Sequence, residues 1–308
     1  MRIERIPLRE GRDDVTLTTY VLDDSAEMLD GAARPAVLIL PGGGYLSCSD
    51  REGEPIAMAF ASLGYHAFVL RYSVYGDVDF TRPMEPRERS QFPNPLVDVG
   101  LGMREIHDRA SEWRVDTDRI AVCGFSAGGH NAAMYATNWD KPVITDVAGK
   151  GLRPAALIAG YALTDHVDAL ERGEELGEME RALRRAVAVA YLGSAEPAQE
   201  ALVAASPALV ADASTPPTFL WATGGDPLVP ARNSLRLAER LADVGVPCEV
   251  HVYEQGRHGL SLATQATAGS RGDIEPRAAD WFRQAAAWLE TRFAIDVPEL
   301  PAWERAGA

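Results

Sequence analysis

The stretch Arg119-Ile120-Ala121-Val122-Cys123-Gly124-Phe125-Ser126-Ala127-Gly128-Gly129-His130 joins an apolar, β-type run to a helical run of small residues. The joint is the pentapeptide Gly124-Phe125-Ser126-Ala127-Gly128, a G-x-S-x-G sequence. At a strand-to-helix turn of this kind the serine takes a strained backbone, and its hydroxyl stands clear above the sheet. The flanking glycines fit because a side chain at either would collide with the neighbouring strand or helix. A glycine-rich turn with a capping serine is the plainer reading. The strand before the turn and the small-residue helix at 131–136 after it favour a nucleophile.

Outward from this turn, short β-type runs alternate with longer amphipathic ones. Strands are expected at 16–22, 36–40, 67–72, 120–124, 155–159, 218–222 and 249–253, the first antiparallel and near an edge. Helices are expected at 55–63, 96–112, 128–137, 232–244 and 277–293. The alternation predicts an α/β fold, a mainly parallel central sheet with helices on both faces. Residues 1–308 read as one domain. Within it, 166–210 is charged, alanine-rich and helical in pattern, with Glu171, Glu174, Glu175, Glu178 and Glu180 beside Arg181, Arg184 and Arg185. It reads as a helical insertion, either a solvated helical pair or a partial lid over the sheet's upper edge. The segment 76–95, rich in proline and charge, reads as a long loop that walls a cleft.

Composition narrows the function classes. A chain of 308 residues, 46% hydrophobic, buries a sizeable core. Its formal charge of −15 argues against a nucleic-acid partner and against anionic membranes. Cys48, Cys123 and Cys248 are widely spaced and form no CxxC pair, so neither a metal site nor a disulfide framework is expected. Cys123 and Cys248 fall in expected strands and read as small buried apolar residues. The opening Met1-Arg2-Ile3-Glu4-Arg5-Ile6-Pro7 lacks the apolar run of a signal peptide. No stretch approaches the ~18 apolar residues of a membrane span. A soluble, cytoplasmic protein is the expectation.

An alkyl hydroxyl is a poor nucleophile at neutral pH. Ser126 therefore needs a base within hydrogen-bond reach, and the base needs an anion to fix its tautomer. Of six histidines only His258 lies in a loop just after the last expected strand, in Glu254-Gln255-Gly256-Arg257-His258-Gly259-Leu260. His66 opens a strand, His107 is within a helix, and His251 is inside the last strand. His130 follows the turn too closely, and His166 opens the insertion. For the acid, Asp226 in Thr223-Gly224-Gly225-Asp226-Pro227-Leu228-Val229-Pro230 directly follows the strand at 218–222. Site residues of open α/β sheets gather at such strand ends. Asp165, after the strand at 155–159, remains the alternative acid.

The third requirement is a cradle for an oxyanion. Pro41-Gly42-Gly43-Gly44-Tyr45 follows the strand at 36–40, and its glycines let backbone N–H groups approach a carbonyl. The N–H groups of Gly43, Gly44 and Ala127 are the candidate donors. A nucleotide site is disfavoured, because no Gly-Lys-Ser/Thr follows and no G-x-G-x-x-G leads into a helix. Tyr45 and Tyr72 are candidate substrate contacts, with ordinary packing as the alternative. Arg51, Glu52 and Arg71 read as a buried ion-paired cluster beside the glycine loop.

Together, PGGGY at 41–45, GFSAGGH at 124–130, TGGDPLVP at 223–230 and GRHG at 256–259 resemble the α/β-hydrolase superfamily. More closely they resemble its bacterial esterase/lipase group, which includes acetyl xylan and feruloyl esterase-like enzymes. Asp50-Arg51-Glu52-Gly53-Glu54-Pro55 and Val69-Leu70-Arg71-Tyr72-Ser73-Val74 are similar to that group too. The likeness covers nearly the whole chain and is weakest at 166–210. It implies a cofactor-free Ser-Asp-His carboxylesterase, with Ser126, Asp226 and His258 in those roles. Hormone-sensitive-lipase-type enzymes carry a histidine before the glycine run, where this chain has Pro41. That departure favours the xylan-esterase-like branch and a small-molecule or oligosaccharide ester, acetyl above all. The same three groups also support an amidase, a formamidase or a peptidase, and the fold supports a non-catalytic binding protein.

Overall fold

The computed structural model describes residues 1–25, 27–28, 31–82, 84–172, 177–300 and 302–305. The strands are β1 (Arg5–Arg9), β2 (Arg12–Tyr20), β3 (Arg34–Leu40), β4 (His66–Arg71), β5 (Val115–Phe125), β6 (Ala156–Gly160), β7 (Thr218–Thr223) and β8 (Cys248–Tyr253). They form one sheet in the order β1-β2-β4-β3-β5-β6-β7-β8. Pairing is antiparallel at β1/β2 and β2/β4 and parallel from β4 through β8.

Side chains alternate across a strand, so a sheet covered on both faces needs apolar residues at successive positions. Leu38, Leu40, Phe68, Leu70, Ile120 and Val122 enter one core layer. Their neighbours Val37, Ile39, Ala67, Val69, Ala121 and Cys123 enter the other. The first layer is covered by α2 (Asn94–Asp108), α3 (Ala110–Trp113), α4 (Ala127–Asn138), α5 (Pro142–Ala148) and α10 (Arg232–Asp243). The second is covered by α1 (Glu54–Ala61) and α11 (Asp280–Phe293), whose Trp281 stacks on Trp221 of β7 at 5.0 Å. Between β6 and β7 lie α6 (His166–Glu171), α7 (Glu178–Leu192), α8 (Gln199–Ala204) and α9 (Pro207–Val210), and α12 (Ala302–Arg305) lies near the C-terminus. Glu174 and Glu175 of the expected insertion lie outside the described residues.

The sequence reading and the structure differ at β1, at the expected helix 96–112 and at Cys248. β1 was not expected, because Pro7 lowers strand propensity, and proline is tolerated there only because the strand is an edge. β2 is accordingly second from the edge. The expected helix at 96–112 breaks into α2 and α3 at Arg109, whose φ of −106° and ψ of 14° leave the helical region. Cys248 is half-buried rather than buried, since β8 closes the other edge of the sheet.

Candidate active site

Strand β5 ends at Phe125 and α4 begins at Ala127, so Ser126 alone reverses the chain, with φ 52° and ψ −120°. A residue with a Cβ rarely adopts that conformation, which stores of order 1–3 kcal/mol. Close packing holds it there. A Cβ on Gly124 would lie 2.2 Å from the Gly128 carbonyl oxygen, and one on Gly128 would lie 2.1 Å from that of Leu40. Both glycines are required for α4 to fold back on β5 and β3. The Ser126 N–H donates to the Gly160 carbonyl at 3.0 Å, tying the turn to β6.

Above this turn three side chains form one hydrogen-bonded run. Ser126 Oγ lies 2.8 Å from His258 Nε2, and His258 Nδ1 lies 2.7 Å from Asp226 Oδ2. A proton on Nδ1, facing the carboxylate, leaves a lone pair on Nε2 towards the hydroxyl. The other Asp226 oxygen, Oδ1, accepts the N–H groups of Leu228 and Val229, both at 2.9 Å. Those two bonds, with Pro227 between, set the direction of the carboxylate. The Asp226 side chain is fully buried and that of His258 is 16% exposed.

The alternative acid lies elsewhere. Asp165 caps α6 through the Asp168 N–H at 2.9 Å and pairs with Arg236. His66 accepts the Leu22 N–H, and His251 pairs with Glu249. His130 and His166 do reach the site cavity, but as a buried pair whose Nε2 atoms are 3.2 Å apart. His130 Nε2 donates to the Ala205 carbonyl at 2.7 Å, so its Nδ1 accepts the Tyr45 hydroxyl at 2.5 Å. Burial pushes the His130 pKa down to about 4. Burial, with His130 and Arg184 nearby, holds His166 well below the usual imidazole value. The pair is neutral.

The glycine loop leaves β3 with three successive residues in the left-handed region: Gly43 at φ 127°, Gly44 at 64° and Tyr45 at 58°. Two of its carbonyls are engaged within the loop. Ser49 N–H donates to Gly42 O at 2.8 Å, and Leu46 N–H donates to Gly43 O at 3.0 Å. Gly43, Gly44, Ala127, Ser126 and His258 all line one cavity of about 790 Å³. Its opposite wall comes from the segment between β6 and β7, through Leu170, Leu183, Val187 and Leu202. Val78 and Phe80 of the long loop complete it. Described residues of the helical insertion thus line the cavity. Arg184 of α7 fastens this wall, donating to the carbonyls of Ala169 on α6 and, at 3.1 Å, of Leu228 beside Asp226.

Two residues read as substrate contacts are packed instead. Tyr72 is fully buried, and its hydroxyl donates to the Pro41 carbonyl at 2.7 Å, bracing the glycine loop from behind. Tyr45 borders the cavity, yet it is 1% exposed and stacked on Tyr191 at 4.2 Å. Arg51, Glu52 and Arg71 do not form one ion-paired cluster. Arg71 pairs with Asp50 at the surface, and Arg51 Nε donates to the Thr267 carbonyl at 2.5 Å. Glu52 is buried, accepting the Gly42 N–H at 2.7 Å and the Tyr161 hydroxyl at 2.6 Å. Burial raises its pKa, against the opposing effect of those two hydrogen bonds. The sequence reading placed Glu52 beside this loop but paired it with arginines, missing its hydrogen bonds to Gly42 and Tyr161. The available signal was an acidic residue ten positions after Gly42.

The BD-FAE family model matches residues 26–241. This chain belongs to the BD-FAE family. The match takes in the glycine loop, the Ser126 turn and Asp226, while His258 lies beyond its end. An α/β-hydrolase enzyme, MGS-M1, from a Medee basin deep-sea metagenome is 34% identical to this BD-FAE chain, with a TM-score of 0.72 over 96% of this chain and 99% of that one. The acetyl ester-xyloside bifunctional hydrolase of Caldicellulosiruptor lactoaceticus is 29% identical, with a TM-score of 0.72 over 94% of this chain and 96% of that one. The fold is therefore the α/β-hydrolase fold. Endo-1,4-β-xylanase B of Butyrivibrio fibrisolvens is 31% identical over 239 residues, 76% of this chain but 34% of that protein. The chain spans between about a third and two fifths of the first curated relatives it matches. Among the described residues no helix is long and apolar enough to cross a membrane, and no group of three His, Cys, Asp or Glu side chains could hold a metal ion.

Proposed function

We propose that this chain is a serine carboxylesterase acting on short-acyl esters, acetyl groups on xylo-oligosaccharides or related sugars above all. The observation that carries the reading is the continuous run from Ser126 Oγ through His258 to Asp226, at 2.8 and 2.7 Å, beside a loop rich in backbone donors. Two of the similar proteins are named for ester hydrolysis. The Caldicellulosiruptor neighbour is named for acetyl esters and xylosides, and a Xylanibacter ruminicola relative, 24% identical, is named an acetylxylan esterase.

The reaction has two halves. Ser126 Oγ attacks the ester carbonyl while His258 Nε2 takes its proton, and the imidazolium formed is stabilised by Asp226. The N–H groups of Gly43, Gly44 and Ala127 stabilise the negative charge on the carbonyl oxygen, and the alcohol leaves with the proton from Nε2. Water then attacks the acyl-enzyme with His258 again as base, releasing the acid and restoring Ser126. The wall contributed by 166–202 excludes water from one side of the acyl-enzyme and acts as a partial lid.

Hydrolysis of p-nitrophenyl acetate, butyrate and octanoate, with Ser126→Ala alongside, tests the reading. The expected result is activity that falls with chain length and vanishes in the variant, followed by release of acetate from acetylated xylo-oligosaccharides. No turnover of any ester by folded protein overturns it. Faster cleavage of the matching anilides moves the assignment to an amidase.

A further inference from the structure

We propose that Glu52 is a positioning residue for acyl transfer, joining the glycine loop that faces the substrate carbonyl to the loop that carries His258; the proposal rests on the serine-esterase reading above. The link is a closed circuit of hydrogen bonds. Glu52 Oε2 accepts the Gly42 N–H at 2.7 Å, and Oε1 accepts the Tyr161 hydroxyl at 2.6 Å. The same Tyr161 oxygen accepts the N–H of Ser261, three residues beyond His258, at 2.9 Å. Ser261 Oγ donates at 2.6 Å to the carbonyl of Arg51, the neighbour of Glu52. The Tyr161 ring meets the His258 imidazole edge-on, with centroids 5.1 Å apart.

Three further features show that this circuit is built against resistance. Tyr161 and Ser261 hold φ values of 36° and 55°, which residues with a Cβ rarely adopt. A Cβ on Gly42 would lie 2.7 Å from Glu52 Oε2 and 2.9 Å from Ser126 Cβ, so Gly42 is wedged between the carboxyl and the nucleophile's own residue. Glu52 is 4% exposed, and no ion pair reaches it among the described residues. A buried carboxyl without a cation is a poor stabilising device compared with an apolar residue of its size. Its retention follows from what it connects. A neutral carboxyl keeps both links only with the second reversed, its carbonyl accepting from Gly42 and its O–H donating to Tyr161. A glutamine side chain does likewise, its carbonyl accepting from Gly42 and its amide N–H donating to the Tyr161 oxygen.

The test compares Glu52→Gln, Glu52→Ala and Tyr161→Phe with the parent protein, each checked by thermal melting. Two readouts are taken: the rate at which a fluorophosphonate probe labels Ser126, and kcat and KM separately on p-nitrophenyl acetate. Positioning predicts that Glu52→Ala loses about 10²-fold in kcat and in labelling rate, with KM little changed. Glu52→Gln recovers most of that loss. Tyr161→Phe falls in the same direction, and the Glu52→Ala/Tyr161→Phe double variant is no worse than Glu52→Ala alone, because both break one circuit. Equal kcat and labelling in Glu52→Ala and the parent, a loss confined to KM, or a glutamine variant as slow as the alanine one overturns the proposal. Should Glu52→Ala fail to melt cooperatively, Tyr161→Phe decides, and an unchanged kcat there overturns it. A parent protein that takes up no probe and cleaves no ester overturns the esterase reading and the proposal with it. A labelled parent with an equally labelled Glu52→Ala overturns the proposal alone.

Discussion

Arg236 holds Asp165 by both Nε and Nη2, at 2.7 and 2.6 Å from a single carboxylate oxygen. The second oxygen of Asp165 caps α6. Neither is free to meet a histidine, whereas both oxygens of Asp226 are spent on His258 and on the turn that aims them.

The two aspartates therefore separate cleanly. Asp226→Asn is expected to lower kcat by roughly 10³–10⁴-fold, by removing the anion that fixes the His258 tautomer. Its melting temperature changes little. Asp165→Ala is expected to do the reverse, losing about 1 kcal/mol or more through the lost cap and ion pair while kcat stays near the parent value. Steady-state kinetics with urea unfolding on both variants checks the pair.

The Ser126 backbone gives a second contrast. Ser126→Ala and Ser126→Gly both remove the nucleophile and abolish turnover. At ordinary positions glycine is the less stable of the two by roughly 0.5–1 kcal/mol. At φ 52° and ψ −120° the order is expected to close or invert, because only glycine relaxes there. Melting temperatures of the two inactive variants decide it, and an alanine variant clearly more stable than the glycine one contradicts the strain.

Tyr72→Phe tests the correction to the sequence reading. It removes a donor from the buried Pro41 carbonyl and should cost about 1–3 kcal/mol of stability. KM for sugar esters should not move, since Tyr72 is fully buried. A KM effect without a stability effect would return Tyr72 to the substrate.

The buried His130–His166 pair sets an acid limit. Its folded pKa values lie below the unfolded value near 6.5, that of His130 at about 4. The unfolded chain therefore binds protons first as pH falls. The stability contributed by the neutral pair is complete above pH 6.5 and is lost as pH drops towards about 4, by roughly 1–3 kcal/mol. Tyr45, Tyr191 and the Ala205 carbonyl lie against the pair with Arg184 nearby, and among the described residues no carboxylate pairs with it. Urea midpoints at pH 7 and pH 5 should differ more in the parent than in His166→Gln, which leaves one titrating group fewer.

The parts of the site that were legible in the sequence are those whose position follows from chain order. Ser126, Asp226 and His258 each sit in a loop directly after an apolar run, and a parallel sheet brings the ends of such runs to one edge. The glycine loop was legible for the same reason. Glu52 was not, because its partner Tyr161 is 109 residues away and no local pattern pairs them. Tyr45 and Tyr72 misled because an aromatic beside a strand end looks the same whether it faces the cleft or the core. β1 was hidden by Pro7, which argues against a strand everywhere except at an edge.

The groups proposed to react come from strand ends, at 126, 226 and 258, while much of the described wall of the cavity comes from 166–172 and 177–202. Chemistry and shape are thus written in separate stretches of chain. Changes on the cavity-facing side of that helical stretch, away from Arg184 and His166, are expected to retune which alcohol or acid fits. The stretch is fastened to the reacting side by the bond from Arg184 to Leu228, two residues past Asp226, and by the contact of His166 with His130 on α4. Those contacts join the stretch that shapes the cavity to the stretches proposed to react.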